Sequence, residues 1–259
     1  MRESRTVLLL GGTSEAYALA EKFAEEAYPV LSSLAGRTSH PKIPAGRYRI
    51  GGFGGIDGLI NTIKKENIGL IVDATHPFAE TMTDHAWRAA RTEKIGYIRF
   101  ERPLWQARKE DKWLTVNNIE EAVAAIPVKS RCFLAIGRQH VNEFLVRKDV
   151  SFVARMVEKP ENFVPEANIE IVLGKPENEK EEYDFLVNHH FDCLVCRNSG
   201  GSASFPKLEA ARKLGLPVIM ITRKPLPDVV TLSAEKDVID LVRKFCQADH
   251  GEKHKETNG

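Results

Sequence analysis

Val7-Leu-Leu-Leu-Gly11-Gly12-Thr13-Ser14-Glu15-Ala16 reads as a strand, a tight turn and the start of a helix. The apolar run is strand-sized and ends in two glycines. The next residues, Ser14–Glu26, carry Ala16, Leu19, Ala20 and Phe23 at helical spacing. Glycines let the backbone turn sharply and approach a ligand. The free N–H groups and the dipole at a helix N-terminus favour a phosphate. Thr13 or Ser14 suits the helix cap and can also donate to phosphate. A complete G-x-G-x-x-G would need a third glycine, where Ala16 or Ala18 stands. Two readings are therefore open: a plain strand–turn–helix connection, or a dinucleotide site built from Gly11, Gly12, Thr13, Ser14 and Glu15.

Outward from this turn, short apolar strands alternate with helical patterns: strands at Val30–Leu34, Arg47–Ile50, Gly69–Asp73 and Tyr97–Glu101, helices over Ile56–Glu66 and Ala79–Lys94. That alternation predicts βαβ units around a parallel sheet, and a strand as apolar as Leu70-Ile71-Val72 fits a sheet covered on both faces. The pattern breaks near Arg102-Pro103, where Leu104–Lys112 is polar around one Trp, and then resumes. Strands are expected at Trp113–Val116, Arg131–Ile136, Phe152–Met156, Glu170–Val172, Cys193–Cys196 and Pro217–Ile221. Helices are expected at Ile119–Ala125, Glu179–His189, Phe205–Leu214 and Glu235–Cys246. The expected organisation is a lobe over 1–102, a second α/β lobe over 103–247, and a disordered polar tail over 248–259. The halves are alike in architecture without a sequence repeat.

The 259 residues are 42% hydrophobic and 28% charged, with a formal net charge of +1, which fits a globular chain with a buried core and argues against a nucleic-acid partner. No apolar run reaches the about 20 residues that span a bilayer. A cytoplasmic protein without a membrane partner is expected, its oligomeric state open and a monomer compatible. Four cysteines in a chain this long suit a reducing compartment. Cys193-Leu-Val-Cys196 has the spacing of a redox or metal pair, but it lies inside an apolar strand with no second Cys/His pair at zinc-like spacing. Its members read as small core hydrophobes, and no metal is expected.

Other turns after strands carry candidate chemistry. Leu34-Ala35-Gly36-Arg37-Thr38-Ser39 follows the second strand, where an NAD enzyme often has a carboxylate for the ribose hydroxyls. Here a cation and hydroxyls stand instead, which suits a 2′-phosphate and makes Arg37 and Thr38 candidates for NADP(H) over NAD; a solvated surface arginine is the other reading. Gly51-Gly52-Phe53-Gly54-Gly55 is either a mobile loop or a cofactor-contacting one, through Gly52 and Gly54. Asp73-Ala74-Thr75-His76-Pro77-Phe78 lies at the carboxyl edge of the sheet, where open α/β folds bind ligands. Thr75 is a cofactor candidate there, and His76 an acid, a substrate donor or merely a helix-start residue. In the second half, Ile136-Gly137-Arg138-Gln139 and Asn198-Ser199-Gly200-Gly201-Ser202, with Lys207 one turn on, each read as a strand end leading into a helix. These are anion-friendly turns. Arg102, Arg138, Gln139, Ser199, Gly200, Gly201 and Lys207 would grip a carboxylate-rich substrate; ordinary loop glycines and caps are the alternative. Tyr-x-x-x-Lys, the G-x-x-x-x-G-K-[ST] phosphate loop and H-E-x-x-H are all absent. Ser204-Phe-Pro-Lys207 matches Ser-x-x-Lys without its companion boxes.

Together the segments Leu8–Ala16, Ser33–Thr38, Gly51–Gly55, Val72–Ala79, Arg99–Trp105, Ala135–Gln139 and Asn198–Ala211 resemble the precorrin-6A and cobalt-precorrin-6A reductases of cobalamin biosynthesis, in the same order along the chain. Arg197-Asn198 departs from the Lys-Asp pair the pattern would have, and 162–180 matches nothing in it. The resemblance implies an α/β chain of two Rossmann-like lobes with mainly parallel sheets and a cleft between them. It implies NADP(H) as cofactor, a tetrapyrrole polycarboxylate as substrate, and hydride transfer to one C=C bond of precorrin-6A or its cobalt form, giving precorrin-6B. A nicotinamide would bring the reducing power, leaving the protein to position and to supply charge. Rival expectations are an NADP-binding regulatory module without catalysis and a nucleotide-sugar enzyme on paired α/β lobes.

Overall fold

The computed structural model describes residues 4–36, 42–158, 167–174, 178–225 and 229–256. The opening apolar run forms β1 (Thr6–Leu10), and the glycine turn leads into α1 (Ser14–Glu25). Then follow β2 (Val30–Leu34), β3 (Arg47–Ile50), α2 (Gly55–Lys65), β4 (Ile68–Asp73), α3 (Glu80–Glu93) and β5 (Gly96–Phe100). Two-residue alternation along β1 sends Val7 and Leu9 to one face and Leu8 and Leu10 to the other, and helices cover both. Phe23 and Leu19 of α1 pack on the first face. Leu59 and Ile63 of α2, with Ala86, Ala89 and Ala90 of α3, pack on the second. All six residues of β4 are buried, as a doubly covered strand requires.

After β5 the chain passes through an irregular crossover into β6 (Trp113–Val116), α4 (Ile119–Ala125), β7 (Arg131–Ala135), α5 (Val141–Phe144), β8 (Ser151–Met156), β9 (Ile169–Leu173), α6 (Glu179–His189), β10 (Cys193–Arg197), α7 (Pro206–Leu214) and β11 (Val218–Ile221). It then forms β12 (Val230–Leu232) and α8 (Glu235–Glu256).

There are two six-stranded sheets, with orders β12-β5-β4-β1-β2-β3 and β6-β11-β10-β7-β8-β9. Every strand pair is parallel. In both sheets the winding reverses beside the central strand, between β1 and β4 and between β7 and β10. That is the doubly wound arrangement, and its ligand position is the crevice at the reversal. In both sheets, too, the outermost strand comes from outside the five-strand run: β12 follows the second unit in sequence, while β6 precedes the central strand of its own.

Two expectations are corrected here. The chain divides into Met1–Arg102 with Leu226–Gly259, and Pro103–Pro225, so the second unit does not run on to 247. β12 pairs with β5 through Val230–Ile98 and Leu232–Phe100, and Val238, Val242 and Cys246 of α8 pack in the α1 core. The short β12 carries too little apolar pattern to be seen beforehand, and nothing local to α8 names the sheet it covers. The tail expected to be disordered from Ala248 continues α8 to Glu256. Losing the apolar stripe after Cys246 removes a packed face, but Glu and Lys still favour helix.

Gly58, inside α2, faces the Phe53 carbonyl so closely that a Cβ there would overlap it. Gly58→Ala is expected to lower stability by about 1–3 kcal/mol, the usual cost of forced overpacking, read as a lower urea midpoint with an unchanged slope.

Candidate active site

Thr13 stands where β1 meets α1, and its hydroxyl has two tasks. It accepts the Ala16 N–H at 3.2 Å, capping α1, and donates to the Ala74 carbonyl at 2.8 Å. The backbone adds Ala74 N–H to the Leu10 carbonyl at 3.0 Å and Gly11 N–H to the Ser33 carbonyl at 3.0 Å. The carboxyl ends of β1, β2 and β4 are thereby locked into one rim. Gly12 sits on that rim at φ +108°, which L side chains rarely adopt, and nothing lies within 4 Å of where its Cβ would project. Gly11 is closer to the protein, its Cβ position 3.4 Å from Ala16. The turn thus exposes the Gly12 backbone to open space at the start of a 12-residue helix, a cradle with the shape a pyrophosphate needs. Ser14 is exposed beside it and donates to Glu15 at 3.0 Å.

Beneath the rim lies a buried charge network. Asp73 ends β4 and pairs in register with Arg99 on β5, and both side chains are fully buried. Asp73 Oδ1 accepts from Arg99 at 2.7 Å, from the Thr75 N–H at 3.0 Å and from the Thr75 hydroxyl at 2.7 Å. Oδ2 accepts from Thr83 of α3 at 2.8 Å and from the Tyr97 hydroxyl at 2.9 Å. Burial, and then the Asp73 charge, push the Tyr97 phenol far above its ordinary range, so it stays a donor. Arg99 also reaches Thr75 Oγ1 at 3.0 Å and the His76 carbonyl at 3.4 Å. The Thr75 hydroxyl hydrogen is therefore spent on Asp73, not offered to a ligand. His76 is half-buried and its Nδ1 accepts the Phe78 N–H at 3.2 Å, so a neutral ring carries its hydrogen on Nε2.

Around this rim the other candidates of the first unit sort themselves out. Arg102 pairs with Glu15 in the first turn of α1 at 3.1 Å; both had been expected at ligands. Gly52 and Gly54 are exposed in the loop after β3, and Gly54 at φ +79° heads α2. That loop is held by a residue the sequence reading passed over. Arg49 donates to the Ser33 hydroxyl at 2.8 Å, the Gly51 carbonyl at 2.9 Å and the Gly52 carbonyl at 3.0 Å, and stacks over Phe53 at 4.0 Å. The mobile-loop alternative is thus replaced by a tethered one. Arg37 and Thr38 lie outside the described residues.

In the second unit, Gly137, Arg138 and Gln139 follow β7, and Ser199, Gly200 and Gly201 follow β10, all at the carboxyl edge. The helix expected directly after Gln139 is the four-residue α5, too short for a helix dipole to matter, and α7 begins only at Pro206. What shapes the second turn is backbone: Gly200 and Gly201 are left-handed at φ +64° and +76°. It is fastened to the crossover. The Asn198 amide accepts the Trp105 N–H at 2.9 Å and donates to the Trp105 carbonyl at 3.0 Å, while the Trp105 indole donates to the Gly201 carbonyl at 2.7 Å. Arg138 is half-buried, 3.6 Å from Glu158. Lys207 is only 7% exposed, donating to the Ser204 carbonyl at 2.5 Å and lying 5.3 Å over the Trp105 ring. It braces the loop from inside instead of reaching outward. Cys193 and Cys196 are three residues apart on one strand, so they point to opposite faces and cannot pair. Burial pushes the Cys196 thiol up to about 11.

The comparisons with known proteins meet this geometry. The family model described as precorrin-6x reductase CbiJ/CobK matches residues 6–243. The chain belongs to the precorrin-6x reductase family. A precorrin-6A reductase of Sinorhizobium sp is 40% identical over 244 residues, covering 93% of each chain. A cobalt-precorrin-6A reductase of Priestia megaterium is 32% identical over 250 residues, covering 90% of this chain and 96% of its own. The solved structure of a CobK precorrin-6A reductase superposes with TM-score 0.87 at 35% identity, covering 93% and 97% of the two chains. Each precorrin-6x reductase segment recognised in the sequence includes, where described, a strand's carboxyl end or the turn after it, and Leu8–Ala16 and Asn198–Ala211 run on into α1 and α7.

Burial lowers the Lys207 ammonium below the usual lysine value. Between that lowered value and the unfolded one, the unfolded chain holds more protons, so this group makes stability rise with pH. Lys207→Met removes that dependence. The stability difference between variant and wild type should shift in favour of the wild type as pH rises towards the unfolded lysine range, measured by urea titration at several pH values.

Proposed function

We propose that this chain reduces one C=C bond of precorrin-6A, or of its cobalt form, to precorrin-6B in cobalamin biosynthesis, using NADPH. The observation that carries the cofactor reading is the Gly12 cradle locked to β4 through Thr13 and Ala74. It lies at the sheet reversal of the first unit, in a chain of a reductase family. A reduced nicotinamide, when bound, supplies the hydride. The chain's own part is positioning and proton supply. Gly11, Gly12, Thr13 and Ser14 would hold the pyrophosphate with backbone N–H groups and hydroxyls. Gly52 and Gly54 let the backbone after β3 come close to the adenosine end. Arg37 and Thr38 are proposed for its phosphate. His76 is proposed as the group that donates the proton to the second carbon from its imidazolium form, which returns to the neutral ring whose Nδ1 accepts the Phe78 N–H. For the substrate we propose the second unit's edge, with Arg138, Gln139, Ser199, Gly200 and Gly201 receiving carboxylates. Cytoplasmic location belongs to the same reading; among the described residues no helix is long and apolar enough to cross a membrane.

The test is to mix purified protein with NADPH and precorrin-6A, with and without cobalt, and follow the nicotinamide absorbance. Oxidation in one arm identifies the substrate form. Cofactor binding without oxidation in either arm would leave the non-catalytic module. Within an active enzyme, His76→Gln should lower kcat by about a hundredfold while NADPH affinity holds, since a general acid commonly contributes that much; an unchanged kcat assigns the proton to water. Arg138→Ala should raise KM for the tetrapyrrole several-fold at constant NADPH affinity.

A further inference from the structure

We propose that Arg49 is a specificity residue that selects a dinucleotide phosphorylated on its adenosine ribose, an assignment that rests on the first unit's binding a nicotinamide dinucleotide. Arg49 is the register partner of Ser33 across β2 and β3. Its guanidinium leans onto the Ser33 hydroxyl at 2.8 Å, which places the charge at the carboxyl end of β2. In doubly wound dinucleotide folds the adenosine ribose lies at that strand end, with a carboxylate for a free 2′-hydroxyl or an arginine for a 2′-phosphate. The run Leu34-Ala35-Gly36 that follows β2 offers no carboxylate.

The side chain is preset for the task. Two of its hydrogen bonds use both Nη1 hydrogens and one uses an Nη2 hydrogen. One face of the guanidinium is covered by Phe53. The Nε–H and one Nη2–H make no bond to described residues, so the fixed guanidinium keeps hydrogens to offer a ligand. Guanidinium hydrogens make strong, charge-assisted bonds to phosphate oxygens. A guanidinium already fixed by three acceptors and a ring loses little freedom on binding, so the charge is delivered at low entropic cost. Because the same bonds tether the Gly51–Gly52 backbone, a purely structural role predicts a different result. Loosening the loop would weaken any adenine dinucleotide, phosphorylated or not.

Calorimetric titration of the full chain with NADP+ and with NAD+ separates the cases, for wild type, Arg49→Met and Arg49→Lys, each checked by thermal melting. The expected result is that Arg49→Met weakens NADP+ by about tenfold or more, the loss of one charge-assisted contact pair, and NAD+ by less than about twofold. Arg49→Lys, a cation without the fork, should fall between. Equal weakening of both dinucleotides, or of neither, overturns the assignment and leaves Arg49 as a loop tether or a bystander. If Arg49→Met does not fold, Arg49→Lys decides on the same criterion. A wild type that binds neither dinucleotide refutes the cofactor reading itself, and the Arg49 assignment with it.

Discussion

One carboxylate organises the first unit. Asp73 sits fully buried at the end of β4, and its oxygens collect Arg99 from β5, Tyr97 from the same strand, Thr83 from α3 and the Thr75 N–H and hydroxyl. A charge taken out of water is tolerable only when paired and hydrogen-bonded, and removing one partner of a buried pair usually costs about 3–5 kcal/mol. The strand order, the start of α3 and the course of the Thr75–Phe78 loop are therefore held to one arrangement. The loop passes directly over Arg99, whose guanidinium touches the His76 carbonyl. Thr13 then links this substructure to the glycine turn through Ala74. The glycine turn proposed to hold phosphate and the proposed proton donor hang from the same buried pair.

The second unit reaches a similar rim by other means. It has the same strand order about its central strand, but no equivalent of a long helix after the first turn, since α5 is four residues. Its second turn is held by an asparagine amide that pairs with the Trp105 backbone as a neighbouring strand would, and by an indole on the Gly201 carbonyl. These bonds set backbone geometry without a helix dipole. The two rims thus differ in build: one stands at the start of a helix with an open glycine, the other carries left-handed glycines held by Asn198 and Trp105.

The central strands of both sheets were legible because doubly covered strands are continuous apolar runs, and the turn after β1 because glycines and hydroxyls have few other reasons to stand together. The path of the last thirty residues was not legible. β12 is three residues long, and the pairing that places it is with a strand more than a hundred residues earlier. Arg49 and Arg99 were passed over for opposite reasons. Arg99 is one charged position inside an expected strand, and a charged residue amid Tyr97, Ile98 and Phe100 next to a strand ending in Asp73 is a signal of a buried pair. Arg49 lies in an exposed-looking strand, Arg-Tyr-Arg-Ile, where nothing local separates a tether from a solvated side chain. Lys207 was placed on the wrong side of its loop, because helix position alone does not say that its ammonium folds back over Trp105.

The ion pairs of the second unit differ in what it takes to open them. In the second unit Arg155 and Glu182 are 2.6 Å apart and almost fully buried, with Phe133 and Phe185 against the guanidinium. Opening that pair would strand a charge in a low dielectric. Arg212 and Asp111 are similarly enclosed at 2.9 Å. Arg138 and Glu158 stand at 3.6 Å with about a third of each side chain exposed, and pairs in that setting are worth about 0–1 kcal/mol. The fold thus encloses Arg155 and Arg212 with their carboxylates, while the Arg138–Glu158 contact, at the carboxyl edge after β7, is the most exposed of these three.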